Sequence, residues 1–136
     1  MKDAVLATIT VLKAYAPIAT IVGTRIYKGG DIPADPQKPF IAVSAPTKTP
    51  EPPTSSSTYR TDRIQCTSFE TTETKAAILS DLIGDAMVQD SIMITPVSGI
   101  EFSDIEDRGA VPDNSDAKTT REFRDNHDFM ITYRLR

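Results

Sequence analysis

Residues 128–135 read Asp-Phe-Met-Ile-Thr-Tyr-Arg-Leu, and they carry the clearest pattern in the chain. Phe129, Ile131, Tyr133 and Leu135 occupy every second position, so they would share one face of an extended strand. The residues between them include an aspartate, a threonine and an arginine, which favour water. The end of the chain therefore predicts a strand whose one face is buried and whose other face is partly exposed.

Earlier stretches predict the other strands of the sheet. Tyr59 to Phe69 alternates in the same way, with Ile64 and Cys66 on one side and Arg63 and Gln65 on the other. Shorter β-type runs are bounded by glycines and prolines, which interrupt regular structure. These runs lie at 24–27, 40–45, 92–94 and 99–106.

Two amphipathic helices are predicted between these strands. Asp3 can cap the first, which ends near Tyr15 because Pro17 disfavours helical angles in the residue before it. A short apolar turn at 18–22 should follow. Thr71 or Thr72 can cap the second helix, whose apolar stripe includes Ala76, Leu79, Leu82, Ile83, Ala86 and Met87.

The order of elements predicts an α+β fold in one domain over residues 1–136. We expect a single mixed, mainly antiparallel sheet, two helices packed on one face, and two long polar loops. Pro46 to Thr58 and Asp104 to Lys118 would form these loops, and long loops in compact domains commonly contact partners. The predicted contact residues are Lys48, Glu51, Ser55, Ser56, Tyr59, Asp104, Glu106, Asp107, Arg108, Asp113 and Asp116.

Composition excludes several classes of protein. A net charge of −4 argues against wrapping duplex DNA, which relies on lysine and arginine to neutralise phosphates. The single cysteine, Cys66, permits neither an internal disulfide nor a cysteine-based zinc cluster. The first fifteen residues lack the pattern of a signal peptide, and no stretch has the apolar length needed to span a bilayer. We therefore expect a cytosolic origin and no membrane partner.

Candidate chemical groups lack the partners that catalysis needs. His127, with Asp125 and Asp128 nearby, is the most chemical-looking cluster, but it is the only histidine, and Asp128 would point to the opposite face. Its predicted role is at the surface or in hydrogen bonding. Glu101, Asp104, Glu106 and Asp107 predict solvated charge, and Cys66 predicts a small buried hydrophobe. The sequence thus predicts no metal, no cofactor and no enzyme.

Several segments in order resemble the tail terminator, or tail-completion, proteins of long-tailed bacteriophages. The resemblance covers nearly the whole chain, although its motifs are structural signals and the Pro46–Thr58 stretch is longer than that family suggests. The matching segments are an N-terminal helix, Ile21 to Tyr27, Lys38 to Ser44, Arg63 to Phe69, the helix containing Lys75, Ala76, Leu79 and Ile83, and the strand through Phe129, Ile131 and Tyr133.

The resemblance implies a protein of the virion, assembled in the host cytoplasm as a hexameric ring. That ring would cap the head-proximal end of the tail tube, stop its polymerisation, and offer its other face to the head-completion, or stopper, protein. DNA would only pass transiently through the ring, where acidic side chains would repel phosphates.

Three alternatives stay open at this point. A neck or head-completion protein would share the small size, acidity and polar loops. A small metal-dependent hydrolase would use His127 and neighbouring acids. A regulatory binding module, from a prophage or from the host, is the third.

Overall fold

The computed structural model describes residues 3–47, 59–89, 92, 96–114 and 122–135. These residues form three helices and a five-stranded sheet. In chain order the elements are α1 (Ala4–Ala14), α2 (Ala16–Val22), β1 (Ile26–Lys28), β2 (Phe40–Thr47), β3 (Tyr59–Glu70), α3 (Glu73–Met87), β4 (Ile100–Asp113) and β5 (Phe123–Leu135).

The strands lie in the order β1-β2-β3-β5-β4. Only β1 and β2 run parallel, and the other neighbours are antiparallel. The predicted α+β fold with a mixed, mainly antiparallel sheet is therefore confirmed. β5, which holds the stretch with the clearest alternation, lies between β3 and β4, while β4 forms a long edge of the sheet.

α1 and α3 begin where the sequence offers side-chain caps. The Asp3 carboxylate accepts a 2.7 Å hydrogen bond from the Leu6 N–H, and the Thr72 hydroxyl accepts one of 3.2 Å from the Lys75 N–H. Such bonds satisfy N–H groups that have no partner inside the helix. Gly23 follows α2 with φ of 59°, an angle that favours glycine.

A third helix, α2, replaces the turn predicted at 18–22. Pro17 ends α1 as expected, but it then lies in the first turn of a new helix, where its missing N–H costs nothing. Ile18 and Val22 of this helix are fully buried. In the described ranges no single helix is long and apolar enough to cross a membrane. Taken together, α1 and α2 have the required length and composition, but the pair is bent by 89°.

The core lies against one face of β3 and β5. Ile64 stands opposite Phe129 and Cys66 opposite His127, and these four side chains are buried. The predicted alternation in both strands is thus confirmed, and Cys66 is the small buried hydrophobe that was expected. Burial raises the pKa of the Cys66 thiol, with the Asp128 carboxylate adding to the effect.

The helices attach to different parts of the sheet. α3 packs against β3, β4 and β5, whereas α1 packs against β1, β2 and α3. A single hydrophobic cluster joins α1, α2, α3 and all five strands. The prediction of two helices was wrong, because α2 is a third. The packing of two helices on one face of the sheet stays a prediction.

The predicted loop at 104–118 was wrong over residues 104–113, because β4 continues to Asp113. Backbone pairing with β5 extends from Ile100 opposite Leu135 to Asp113 opposite Arg124. An edge strand needs only one neighbour, and charged side chains on it oppose unwanted pairing with other chains. Asp104, Glu106, Asp107, Arg108 and Asp113 therefore belong to a strand.

The other predicted loop is shorter at its start, because β2 extends through Thr47. Tyr59, a predicted contact residue, is the first residue of β3 and is 52% exposed. Ile92, from the predicted apolar run, is buried in the core. Apart from Asn114, which follows β4, the remaining residues of both loops and of that run lie outside the described residues; they include Lys48, Glu51, Ser55, Ser56 and Asp116.

Candidate interaction surfaces

The β4 edge brings most of the described contact residues together. Among the described strands β4 pairs only with β5, and the register shifts twice, between Phe102 and Asp104 and between Asp107 and Ala110. Gly109 lies in the second shift with φ of 89°, which suits the extra residues of a bulge. Residues 106–112 are exposed along their whole length. The edge is thus an irregular, charged and accessible strand.

Three exposed side chains form a line on this edge, which we call the β4 stripe: Asp104, Glu106 and Val111. They stand opposite Thr132, Met130 and Asn126 of β5, which alternate with its buried residues. Paired residues in an antiparallel ladder point to the same side of the sheet. The β4 stripe therefore lies on the face directed away from the core.

Asp107, which is also a predicted contact residue, forms hydrogen bonds inside the protein. Its Oδ1 atom accepts a 2.8 Å bond from Nε2 of His127 and a 2.7 Å bond from the Gly109 N–H. These bonds hold the bulged part of β4 against β5. Asp107 is therefore a structural residue of the edge, unlike Asp104 and Glu106.

His127 is buried at the junction of three elements. Its Nδ1 atom lies 3.0 Å from the carbonyl oxygen of Ser80 on α3, its Nε2 reaches Asp107 on β4, and its ring stacks on Phe129 at 4.5 Å. The predicted hydrogen-bonding role is confirmed. The alternative surface position was wrong, because the residue is only 5% exposed.

The Ser80, His127 and Asp107 side chains include the residue types of a nucleophilic triad. The Ser80 hydroxyl lies 3.1 Å from Nδ1 of His127. The same Nδ1 atom lies 3.0 Å from the Ser80 carbonyl oxygen, so Ser80 contacts the ring through both its side chain and its backbone. Ser80 is also 1% exposed. The arrangement therefore ties α3 and β4 to β5 and does not form an accessible nucleophile.

Metal ligands do not converge in the described ranges, which contain no group of three or more His, Cys, Asp or Glu side chains able to hold an ion. Asp125 lies on the same buried face as His127, while Asp128 pairs with Arg63 at 2.8 Å on the opposite face. The hydrolase hypothesis thus loses the cluster on which it depended.

Asp125 is a buried carboxyl group, and we expect it to make the stability of the fold depend on pH. The residue is 6% exposed, and its Oδ1 atom has no hydrogen-bond partner among the described residues. Burial raises the pKa of this carboxyl above its ordinary value of 3.8, assisted by Asp81 and opposed by His127 and a hydrogen bond to Ser80. Ionisation is therefore less favourable in the folded state than in the unfolded state.

The Asp125→Asn variant should gain stability relative to the native chain as the pH rises. A raised folded pKa contributes stability that is complete below pH 3.8 and is lost as the pH increases through the folded value. Urea denaturation of both proteins between about pH 3 and pH 7 measures the difference in the free energy of unfolding. A difference that stays constant with pH would contradict the assignment.

A second surface is a cavity of about 450 Å³, which we call the α2–α3 groove: Ile21, Lys38, Pro39, Glu70, Thr71, Lys75 and Ile78 line it. Arg25 shapes one wall, because its guanidinium donates to the Pro39 carbonyl at 2.9 Å and the Ile21 carbonyl at 3.4 Å. Ile78 is 51% exposed. The groove thus combines apolar side chains with two lysines, and residue spacing alone did not indicate it.

The sheet face away from the core is covered by polar pairs between strands. Thr67 donates to Asn126 at 2.8 Å, and Arg134 reaches Glu101 at 3.1 Å. Arg124 lies over the Phe69 ring at 5.3 Å. These half-buried pairs satisfy one another, so this face is polar over β5 and β4, whereas Phe40 of β2 stacks on Phe69 at 4.4 Å.

Comparison with known proteins identifies a shared fold. No family model matches the sequence, and no curated protein matches it. Among solved structures, a chain of the "Virion of native gene transfer agent (GTA) particle" aligns with a TM-score of 0.70 and 16% sequence identity. The alignment covers 98% of this chain and 99% of that chain. The two chains therefore have the same fold over nearly their entire lengths.

Proposed function

We propose that this chain is a structural protein of a phage or phage-like virion. The observation that carries the proposal is the alignment, over nearly the full length of both chains, with a chain of a gene transfer agent virion. The protein would then act through surfaces that fit other virion proteins, and not as an enzyme.

Within the virion we propose the role of tail terminator. The segments that resemble that family form adjacent parts of this fold: Gly23 caps α2, Lys38 to Ser44 enters β2, and Arg63 to Phe69 lies in β3. The protein would form a hexameric ring on the head-proximal end of the tail tube, stop tube growth, and dock the head-completion protein. DNA would pass through the ring without lasting contact.

The surfaces are consistent with this role. A closed ring of identical subunits needs two different patches on each subunit. The β4 stripe and the α2–α3 groove are two such patches, built from different elements and accessible in the single chain. The ionisable cluster around His127 is internal to the fold, so it supports the subunit rather than a reaction.

Electron microscopy of the purified protein with and without isolated tail tubes tests the proposal. We expect rings in solution and rings at one end of each tube, and we expect tails of uncontrolled length when the gene is removed from its phage. Tails of normal length that fail to join heads would favour the neck or head-completion role. A monomer that binds neither tubes nor heads would contradict a structural role at the tail end.

A further inference from the structure

We propose that the β4 stripe of one copy docks in the α2–α3 groove of a neighbouring copy, and that this contact joins the subunits. The inference rests on the proposed function, because it specifies how the ring closes. It commits to a second copy of this chain as the occupant of the groove. The contact would be heterologous, since the two patches lie on different elements of each subunit.

Apolar exposure is the first argument. Val111 is 64% exposed on β4, and Ile78 is 51% exposed at the groove. They are two of the four large hydrophobic side chains that are exposed in the described part of the chain. Ile21 and Pro39 extend the apolar lining beside Ile78. Inserting Val111 there would remove both exposed side chains from water at once.

Charge complementarity is the second argument. Asp104 and Glu106 lie on the same face of β4 as Val111, both on its N-terminal side along the strand. At the groove, the Lys75 ammonium has no ion-pair partner in the described part of the chain, and Lys38 contacts Glu122 at 3.6 Å. Opposite charges beside an apolar contact fix its register and disfavour wrong partners.

Glu70 at the groove and Arg108 beside the β4 stripe do not reverse the charge complementarity of the two surfaces. Glu70 lines the groove, but it is 5% exposed and accepts a 3.3 Å bond from the Thr71 N–H. Arg108 is bound to Glu106 at 3.0 Å, with both side chains more than half exposed. Such an exposed pair is weak and can exchange for a contact with a neighbour. The outer charge of the groove is therefore positive, and that of the β4 stripe is negative.

Charge reversal of each patch tests the contact. The first variant is Lys75→Glu, and the second is Asp104→Lys with Glu106→Lys. Each alone places like charges across the contact, so we expect assembly at least about tenfold weaker in sedimentation velocity. A mixture of the two variants should assemble again, because every groove then meets a stripe of opposite charge.

We do not expect misfolding of the charge-reversed variants to cause their weaker assembly. Lys75 is the third residue of α3 and follows the Thr72 cap, a position at which glutamate completes a capping box and stabilises the helix. Lysines on an exposed edge strand are likewise tolerated. Lys13→Glu, at an exposed position on α1, is the charge-matched control and should assemble as the native chain does.

The outcomes separate this inference from the proposed function. A native ring whose two reversed variants also assemble, or whose variants fail alone and fail when mixed, overturns the inference and leaves the proposed function standing. A native chain that stays monomeric alone and on tail tubes overturns both. Recovery in the mixture, with the native ring present, supports both.

Discussion

Replacing His127 with alanine should lower the free energy of unfolding by about 3–5 kcal/mol. The ring is buried, stacks on Phe129, and bonds Ser80 on one side and Asp107 on the other. Its removal leaves a cavity and removes the His127 contacts of both Ser80 and Asp107, so two costs add. A typical domain has about 5–15 kcal/mol of stability, so this loss would be a large share of it.

Urea denaturation followed by circular dichroism measures this loss, since the chain has no tryptophan for fluorescence. Asp128→Ala is the matched control, one residue further along β5. Its carboxylate pairs with Arg63 on the half-exposed face, so we expect a loss of about 1 kcal/mol or less. Equal losses in the two variants would mean that the His127 contacts contribute little.

The same variant tests the hydrolase hypothesis. A metal-binding histidine would make the stability of the native chain depend on added divalent ions, and the His127→Ala variant would lose that dependence. We expect neither protein to change its unfolding midpoint with added Zn²⁺ or Mn²⁺. A shift in the native chain alone would contradict the structural assignment of His127.

Sequence pattern predicted the central strands because they are buried on one face. β3 and β5 each have a neighbour on both sides and a core beneath them, so their side chains must alternate. β4 lies at the edge of the sheet and has two register shifts, so its side chains need not alternate after Ile105. Its charged residues therefore resembled a loop, although backbone pairing with β5 continues to Asp113.

The helical region shows a second limit of local pattern. Pro17 correctly predicted the end of α1, but the same residue is compatible with the first turn of a helix. Whether the chain continues as a turn or as α2 depends on the burial of Ile18 and Val22 against the rest of the core. That information is tertiary, so spacing along the chain did not contain it.

Both candidate surfaces and the His127 cluster combine residues that are distant in sequence. Ser80, Asp107 and His127 come from three elements, and their convergence depends on the position of β5 between β3 and β4. The groove likewise joins α2, α3 and the residues before β2. The sequence indicated Asp104 and Glu106 as contact candidates, but it could not distinguish them from Asp107, which bonds internally.

Gly84→Val should lower the free energy of unfolding by about 1–3 kcal/mol. Gly84 lies on the buried side of α3, and an added Cβ would stand 3.0 Å from Cε1 of His127 and 3.4 Å from Oδ2 of Asp107. Neither neighbour can withdraw easily, because the ring is stacked on Phe129 and bonded at both nitrogens. The further methyl groups of valine would push α3 away from β5.

Asp85→Val is the control, because the next residue of α3 is exposed and valine there meets no core side chain. The Gly84→Ala variant should have a stability between those of the native chain and Gly84→Val. Alanine gains about 1 kcal/mol in helix propensity, which offsets the cost of its single tight contact. We therefore expect stability to fall steeply from alanine to valine at position 84, while Asp85→Val stays near the native value. Comparable midpoints of urea denaturation for the two valine variants would show that α3 can move away from His127 at little cost.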